Sequence, residues 1–425
     1  MHQLRRLAAV SAYRFGSFVL RFRWIIVGGA LSGLGIWDLV AKLPDPLMIT
    51  AAAAGLGLVA FDLNNHLRAW RSTNFVPRGS ETFRELNIQH GPGERHRIWE
   101  YPNGTFAYDE ELSNAIESGL LARKAATGYA LPPPLAAWGR RYLDWVFGPA
   151  GDKPYNDPIL GWGTNINDVT EVVAAGVELI PSNYYNHISS DHLATVDITQ
   201  DGDTLPNYGR RLFIDRYGCL RDFGDSWLLN GIGTSALAFT SDGMLVLVEQ
   251  DKRNINSKAQ MAPSGSGALD PVDMSGLDIR PLKHVAADGG NRELCQESAV
   301  EPTEVSSSRF LGFGRWLNKA GRPELFTLTF LSTDSHALRA RPIRREERQY
   351  VRRVHFVRLN TDIGAWDEKQ PDRMLPAAHR HAMSVPLSAA LSMLAHNWDS
   401  LAEPFKHLIA PQHLQHQIPD EGRSL

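Results

Sequence analysis

The sequence predicts an α+β protein with a two-helix transmembrane hairpin at its N-terminus, and three observations lead to that fold class. Two apolar runs lie within residues 24–61, separated by a short turn that contains Pro44 and Pro46. Strand-like and helical stretches follow one another between residues 210 and 401. At 425 residues, the chain is long enough for two or three domains with a substantial core.

The composition is that of an ordinary globular protein, with 43% hydrophobic and 21% charged residues. The formal net charge of −3 gives no reason to expect bulk electrostatic binding to nucleic acid. The two cysteines, Cys219 and Cys295, argue against a disulfide framework. They fit a reducing compartment.

The two apolar runs cover residues 24–40 and 47–61, and a basic segment without acidic residues precedes them at residues 1–23. Each run is shorter than the roughly 20 residues that span a typical bilayer. Flanking arginines that reach the headgroups and local bilayer thinning can make up the difference, so we predict a transmembrane hairpin. A buried core hairpin and a cleaved signal peptide are the alternatives, and the second is disfavoured because another apolar run follows directly.

The charges around the runs predict the orientation of this hairpin. Arginines are frequent before the first run and return after the second, whereas Lys42 is the only basic residue in the connection between the runs. By the positive-inside rule, both termini face the cytoplasm. Helix candidates at residues 110–125 and 135–146 follow a polar, irregular stretch and indicate a connector. The predicted domains are a basic N-terminus with hairpin at 1–66, a helical connector at 67–154, an α+β domain at 155–410 and a flexible tail at 411–425.

Residues 291–300, with the sequence NRELCQESAV, carry the most specific pattern in the chain. Read as a helix, this segment places Glu293 and Glu297 four residues apart, so that both carboxylates project from one face. Mg²⁺ is commonly held by one or two carboxylates together with waters and substrate phosphates. The pattern therefore predicts a candidate Mg²⁺ site at Glu293 and Glu297.

The segment resembles the second half of the Nudix box. The matching residues are Arg292, Glu293, Leu294, Glu297 and Val300. The departures are Gln296 at the first Glu of the Glu pair, Ala299 at the Gly, His284 at the upstream Glu and Asp278 at the leading Gly. Two expected metal ligands are thus absent, which favours a protein that is not an enzyme. Asp270, Asp273 and Asp278 of the preceding loop are the available substitutes.

The order of predicted elements also resembles the Nudix fold over residues 210–401. The elements are a hairpin with a Ser-Asp-Gly turn at 234–250, a Gly-rich piece at 263–270, two strands around a Lys-Ala-Gly turn at 309–333, and a closing amphipathic helix at 385–398. The resemblance implies a Nudix-like α/β/α sandwich with a mixed sheet.

Candidate ligand-binding residues come from the box, the Gly-rich piece and an arginine-rich segment at residues 337–359, which contains eight arginines. Guanidinium groups suit phosphates by geometry as well as charge. We assign candidate roles in ligand binding to Arg292, Ser266, Arg352 and Arg353. The alternative for the arginine-rich segment is a solvated strand edge whose charge is balanced by Glu346 and Glu347.

A two-helix membrane module followed by a degenerate Nudix domain is similar to the SMODS-associated Nudix proteins of bacterial antiphage systems (CBASS). The resemblance implies an inner-membrane effector that senses a cyclic nucleotide second messenger, acts on the lipid bilayer through its helices and forms a homo-oligomer. A membrane-tethered Nudix hydrolase that cleaves a nucleoside diphosphate-linked substrate with Mg²⁺ is the alternative. A structural membrane adaptor is the third possibility.

Overall fold

The computed structural model describes residues 50, 53–61, 63–64, 73–78, 95–147, 156–200, 203–205, 208–251, 260–360, 362, 366–380 and 382–409. The strands are β1 (Thr73–Pro77), β2 (His96–Tyr101), β3 (Gly104–Asp109), β4 (Leu121–Lys124), β5 (Pro158–Trp162), β6 (Val177–Asn183), β7 (Val196–Gln200), β8 (Asp203–Leu205), β9 (Gly233–Phe239), β10 (Leu245–Gln250), β11 (Met261–Ala262), β12 (Gly265–Ala268), β13 (Ile279–Pro281), β14 (Val305–Trp316), β15 (Arg322–Leu331) and β16 (Val351–Val357). The helices are α1 (Glu110–Glu117), α2 (Pro133–Phe147), α3 (Val169–Ala175), α4 (Tyr184–His187), α5 (Tyr208–Phe213), α6 (Leu282–Glu297), α7 (Ser335–Arg339), α8 (Val385–His396) and α9 (Glu403–Ile409).

A sheet of nine strands forms the centre of the described part of the protein. Its main path runs β11-β10-β9-β15-β14-β3-β2, with β12 paired to β9 and β16 paired to β10. Strands β9 and β15 are parallel, and the other neighbours in this sheet are antiparallel. The mixed sheet and the α+β character of the predicted fold are therefore confirmed.

The central sheet carries a helix on each face, because successive side chains of a strand point to opposite sides. Leu325 packs in one apolar cluster with the first half of α6, whereas its neighbour Phe326 packs in another with α8. Helix α8 is buried along nearly its whole length, from Val385 to Leu394. The segment 385–398, expected to have a polar face, is thus a core helix.

Two smaller sheets lie beside the central one in the described residues. One has the order β13-β4-β6-β5, and the other has the order β1-β7-β8. The first shares an apolar cluster with α6, since Ala122, Leu160 and Leu179 pack with Leu282 and Val285. It therefore supports the helix that carries the candidate site.

Several local predictions are confirmed. The hairpin with the Ser-Asp-Gly turn is β9–β10, and its turn glycine, Gly243, has a φ of 74°. The Lys-Ala-Gly turn joins β14 to β15, with φ values of 58° at Ala320 and 71° at Gly321. Left-handed φ is the conformation that glycine adopts readily, so these turns could be recognised from sequence.

The predicted transmembrane hairpin is wrong, and with it the predicted inner-membrane location. Among the described residues, no helix is both long and apolar enough to cross a membrane. Residues 53–61 of the second apolar run are helical, but this described stretch falls well short of the roughly 20 residues that a span requires. The basic segment 1–23, the first apolar run at 24–40 and the tail at 411–425 lie outside the described residues.

The stretch assigned to a connector contributes directly to the central sheet. Strand β3 pairs with β14, and β2 pairs with β3. The helix candidate at residues 135–146 is confirmed as α2. The candidate at 110–125 is only partly right, because α1 ends at Glu117 and the chain continues as strand β4.

Candidate functional site

Helix α6 carries the candidate site, and it begins at Leu282, well before the segment 291–300 in which the pattern was found. Gly289 and Gly290 lie in its middle. A Cβ atom on Gly290 would lie 2.6 Å from Thr327 Oγ1, so the glycines let the helix approach the sheet closely. Leu282, Val285 and Ala286 bury the apolar face of its first half.

Arg292 is held inside the site by four hydrogen bonds. Its Nε and Nη2 donate to the two carboxylate oxygens of Asp273 at 2.9 and 3.0 Å, which is the paired geometry that makes arginine–carboxylate contacts strong. Its Nη1 donates to Glu293 Oε1 at 2.7 Å, and Nη2 also donates to the Ala268 carbonyl at 2.8 Å. Arg292 is therefore committed to internal partners.

The loop before the helix supplies the partner of Arg292 but no cluster of metal ligands. Asp273 is buried and also accepts the Asp270 amide at 2.8 Å, as part of a capping box at the turn Pro271–Met274. Asp270 accepts the Val272 amide, and Asp278 is exposed. The three aspartates weighed as substitute ligands thus have separate structural positions.

Glu293 and Glu297 project from the same face of α6, as predicted, and strand β12 covers them. Glu297 is 6% exposed, and its Oε2 accepts the amide of Ser266 at 2.9 Å. Gly267 lies directly against the Glu293 carboxylate, and Gly265 lies against the α6 backbone at Leu294. The space beside both carboxylates is therefore filled by the Gly-rich strand.

Burial alters the acidity of both carboxyl groups. It raises the pKa of Glu297 well above its usual range, and the nearby Glu293 raises it further. Burial also raises the pKa of Glu293, although the Arg292 guanidinium opposes that shift. The shift at Glu297 favours its neutral carboxyl form, which is a poor ligand for a hard divalent cation, whereas the Glu293 carboxyl group is paired with Arg292.

The residues that depart from the box show where its chemistry is altered. Gln296 is half-buried beside the two carboxyl groups, and His284 is exposed on the opposite end of the helix. Ala299 has a φ of 55°, the left-handed conformation for which a helix end favours glycine. In the described part of the chain, no group of three or more His, Cys, Asp or Glu side chains is arranged to hold a metal ion.

The structure brings together some of the predicted ligand-binding residues and separates others. Arg292 and Ser266 lie on α6 and the adjoining β12, whereas Arg352 and Arg353 lie on β16. Arg352 is 67% exposed and pairs with Glu249 at 2.7 Å. Arg353 is exposed, on the same strand.

The arginine-rich segment makes several ion pairs with glutamates from elsewhere in the chain. Arg341 bonds both carboxylate oxygens of Glu304, at 2.6 and 2.7 Å, and Arg344 pairs with Glu301 at 3.2 Å. These contacts support the alternative of a charge-balanced surface. In these pairs the balancing residues are Glu301 and Glu304, which lie outside the arginine-rich segment.

A second group of buried and half-buried polar side chains was missed from sequence. It lines a gap, too narrow for a water molecule, between the short helices after β6 and the β14–β15 turn. The lining residues are His187, Asp191, His192, Thr195, Lys319 and Arg322. They come from two distant stretches of the chain, and the only sequence signal was the spacing of His187, Asp191 and His192 on one helical turn.

No protein-family model and no curated protein matches the sequence. Among solved structures, the chain is similar to DR0079 from Deinococcus radiodurans, with 17% identity over 38% of this chain and 80% of that chain and a TM-score of 0.25. A likeness at this level carries no argument about fold or function. The Nudix resemblance stays a prediction from the sequence.

Proposed function

We propose that the protein is a nucleotide-binding sensor of Nudix-like type that binds a cyclic nucleotide without metal-dependent hydrolysis. The observation that carries the proposal is the internal matching of charge on helix α6. Arg292 is bonded to Asp273 and Glu293, and Glu297 is bonded to the Ser266 amide. Hydrolysis by a Nudix enzyme would instead need several ionised carboxylates free to hold Mg²⁺ against a diphosphate.

The ligand class comes from the sequence resemblance. The order of elements and the box residues around Arg292 are similar to those of Nudix domains. The cyclic-nucleotide class comes from the resemblance to the SMODS-associated proteins, which was based on the altered box together with the membrane module, and of these two features the altered box remains. A pocket shaped for a nucleotide can outlast the loss of its metal chemistry, and its binding energy can shift a conformational equilibrium. Cyclic-nucleotide sensing and a homo-oligomeric state are both part of this proposal.

The test incubates the full chain with a panel of cyclic and linear dinucleotides, with and without Mg²⁺. Binding is measured by calorimetry, and the ligand is then recovered and analysed by chromatography. The proposal expects saturable binding of at least one cyclic dinucleotide and recovery of intact ligand under both conditions. Mg²⁺-dependent product release would support the hydrolase, and absence of binding across the panel would reject the sensor.

Two variants distinguish a nucleotide sensor from a Mg²⁺-dependent hydrolase. Glu297→Gln keeps the size and the hydrogen-bond acceptor of the buried side chain, so binding should be unchanged. If the protein were a hydrolase, the same substitution would remove a metal ligand and abolish turnover. Glu403→Gln is the matched control, because Glu403 is exposed at the start of α9, far along the chain from the box.

A further inference from the structure

Strand β16 is an edge strand of the central sheet in the described part of the chain. It pairs with β10 along one side, and no described strand pairs with its other side, its outer edge. The strand has seven residues, Val351–Val357, and holds no proline. An open edge presents a row of backbone N–H and C=O groups, and such an edge can pair with a strand of another chain.

The side chains of β16 are more accessible than those of the inner strands. All residues of β9 and β15 are buried, whereas those from Arg352 to Phe356 are exposed or half-buried. The register with β10 shifts between Glu249 and Gln250, which makes Arg352 the extra residue of a β-bulge. A bulge breaks the alternation of side chains, and two successive arginines, Arg352 and Arg353, are exposed here.

The positive charge along β16 is only partly balanced. Within β10 and β16, the only acidic residue is Glu249. Its carboxylate pairs with Arg352 at 2.7 Å and with His355 at 3.0 Å. Glu346 and Glu347 lie before the start of the strand. Glu249 is therefore already shared between two side chains of β16.

Other guanidinium groups beside the strand have neutral partners or none. Arg358 donates to the Asp242 carbonyl at 2.9 Å, and Arg339 lies over the Phe356 ring at 5.4 Å from its centroid. In the described part of the chain, the arginines beside β16 that have no carboxylate partner are Arg339, Arg348, Arg353 and Arg358. An edge with this excess of guanidinium groups attracts carboxylates.

The two faces of β16 differ in chemistry. Val354 and Phe356 pack in an apolar cluster with Leu338 on one side of the sheet. Arg353 and His355 alternate with them and project to the other side. An added strand in which acidic and apolar residues alternate would therefore match both faces.

We propose that β16 accepts an extended acidic segment of a partner protein, which pairs with its outer edge as an additional strand. Backbone hydrogen bonds hold the segment to the edge, and its carboxylates lie against Arg353 and Arg358. Extended chain of about 17 Å joins these two arginines. A second copy of β16 is disfavoured as the partner, because it would bring the same positive charges together.

This inference goes beyond the proposed function, because it needs neither a nucleotide nor Mg²⁺. The candidate nucleotide site lies at α6 and β12, whereas the partner segment binds the open edge of β16. The arginines of β16, which the structure separates from Arg292 and Ser266, thus have a role of their own.

The test measures binding of a fluorescein-labelled peptide of alternating glutamate and valine residues to the full chain by fluorescence anisotropy. Wild type should bind with a Kd on the order of 100 μM or tighter. Arg353→Glu should weaken binding by about tenfold or more, because it replaces an attractive charge at the edge by a repulsive one. Arg140→Glu makes the same reversal at an exposed position of α2 and should leave the affinity unchanged.

Peptides with N-methylated amides distinguish strand addition from simple charge attraction. Only alternate amides of an added strand point toward β16. Methylation of one set, the valine amides or the glutamate amides, should therefore abolish binding, and methylation of the other set should preserve it. Equal binding of the two methylated peptides would overturn the inference.

A single-stranded oligouridine tests whether the arginines form a nucleic-acid surface instead. Binding of oligouridine that is tighter than that of the acidic peptide and is lost in Arg353→Glu would overturn the inference. Undetectable peptide binding by wild type, or equal affinity in folded Arg353→Glu, would do the same. Circular dichroism checks that each variant is folded, and Arg353→Gln replaces Arg353→Glu if the latter is not. Each of these outcomes leaves the proposed function standing, since that function is tested with dinucleotides.

Discussion

The carboxylate face of α6 and the polar group around His187, Asp191 and Arg322 are both buried, yet their charged side chains have different kinds of partner. On α6, Arg292 is matched to Asp273 and Glu293, and a glycine-rich strand fills the remaining space. In the second group, Arg322 donates to the backbone carbonyls of Gly231 and Gly267, and among the described residues His187 Nδ1 makes no hydrogen bond. The first region pairs a guanidinium group with carboxylates, whereas the second satisfies its guanidinium group with neutral backbone acceptors.

The largest loss of stability is expected from substitution of Arg292, and it tests whether the charges on α6 are matched internally. Arg292→Met leaves the buried Asp273 without its cation, and removal of one partner of a buried pair typically costs about 3–5 kcal/mol. Urea denaturation should show that loss or a failure to fold. Arg352→Met removes an exposed partner of Glu249 and should cost only about 0–1 kcal/mol. Equal and small effects would mean that the Arg292 network is not structural.

The second-largest loss of stability is expected from substitution in β12, the Gly-rich strand that covers the carboxylates of Glu293 and Glu297. Gly265→Ala places a methyl group against the α6 backbone at Leu294, where no flexible side chain can give way. Forcing atoms into a packed core costs about 1–3 kcal/mol. Gly57→Ala is the control, because nothing lies within 4 Å of its Cβ position. A melting temperature unchanged by Gly265→Ala would show that β12 does not pack closely against α6.

The pH dependence of stability distinguishes a neutral Glu297 carboxyl group from an ionised metal ligand. The pKa of Glu297 is raised in the folded protein. The contribution of Glu297 to stability is therefore present below its unfolded pKa of about 4.3 and is lost as pH rises through its folded pKa. Wild type should therefore lose stability relative to Glu297→Gln by up to about 1.4 kcal/mol per pH unit in that window. Urea unfolding of both proteins at pH 5 and 8 measures the difference, and a gap that is constant with pH would contradict the assignment.

The smallest change in stability is expected from substitution of Ala299, just after the C-terminal end of α6. Ala299 occupies a left-handed conformation that costs a non-glycine residue about 1–2 kcal/mol. Ala299→Gly relieves that cost but gains chain entropy when unfolded, so the net stabilisation should be on the order of 0.5–1 kcal/mol. Thermal unfolding tests it, and a destabilised variant would show that the methyl group is needed for packing.

Local signals in the sequence predicted local structure well. Turn glycines located the hairpins around Gly243 and Gly321, and the four-residue spacing placed Glu293 and Glu297 on one helical face. The helix that carries these carboxylates extends beyond the segment in which the pattern was found, because it begins at Leu282 and includes Gly289 and Gly290. In the fold they provide close contact between α6 and the sheet.

Other features depend on contacts between distant residues. The pairing of Asp273 with Arg292 and the covering of Glu297 by Ser266 require the three-dimensional arrangement of loop, strand and helix. The polar group around His187, Asp191 and Arg322 joins residues from several elements, and no spacing rule links them. The apolar runs near the N-terminus matched a membrane signal in composition, but the described helix at residues 53–61 does not reach the length of a span.

The most direct test of the central claim is a calorimetric titration of Mg²⁺ into the wild-type full chain and the Glu293→Gln/Glu297→Gln double variant. We expect the same weak, unsaturated response from both proteins, because both carboxyl groups of wild type are already engaged inside the fold. Saturable binding to wild type that disappears in the double variant would show that α6 still holds a metal, and would contradict the account.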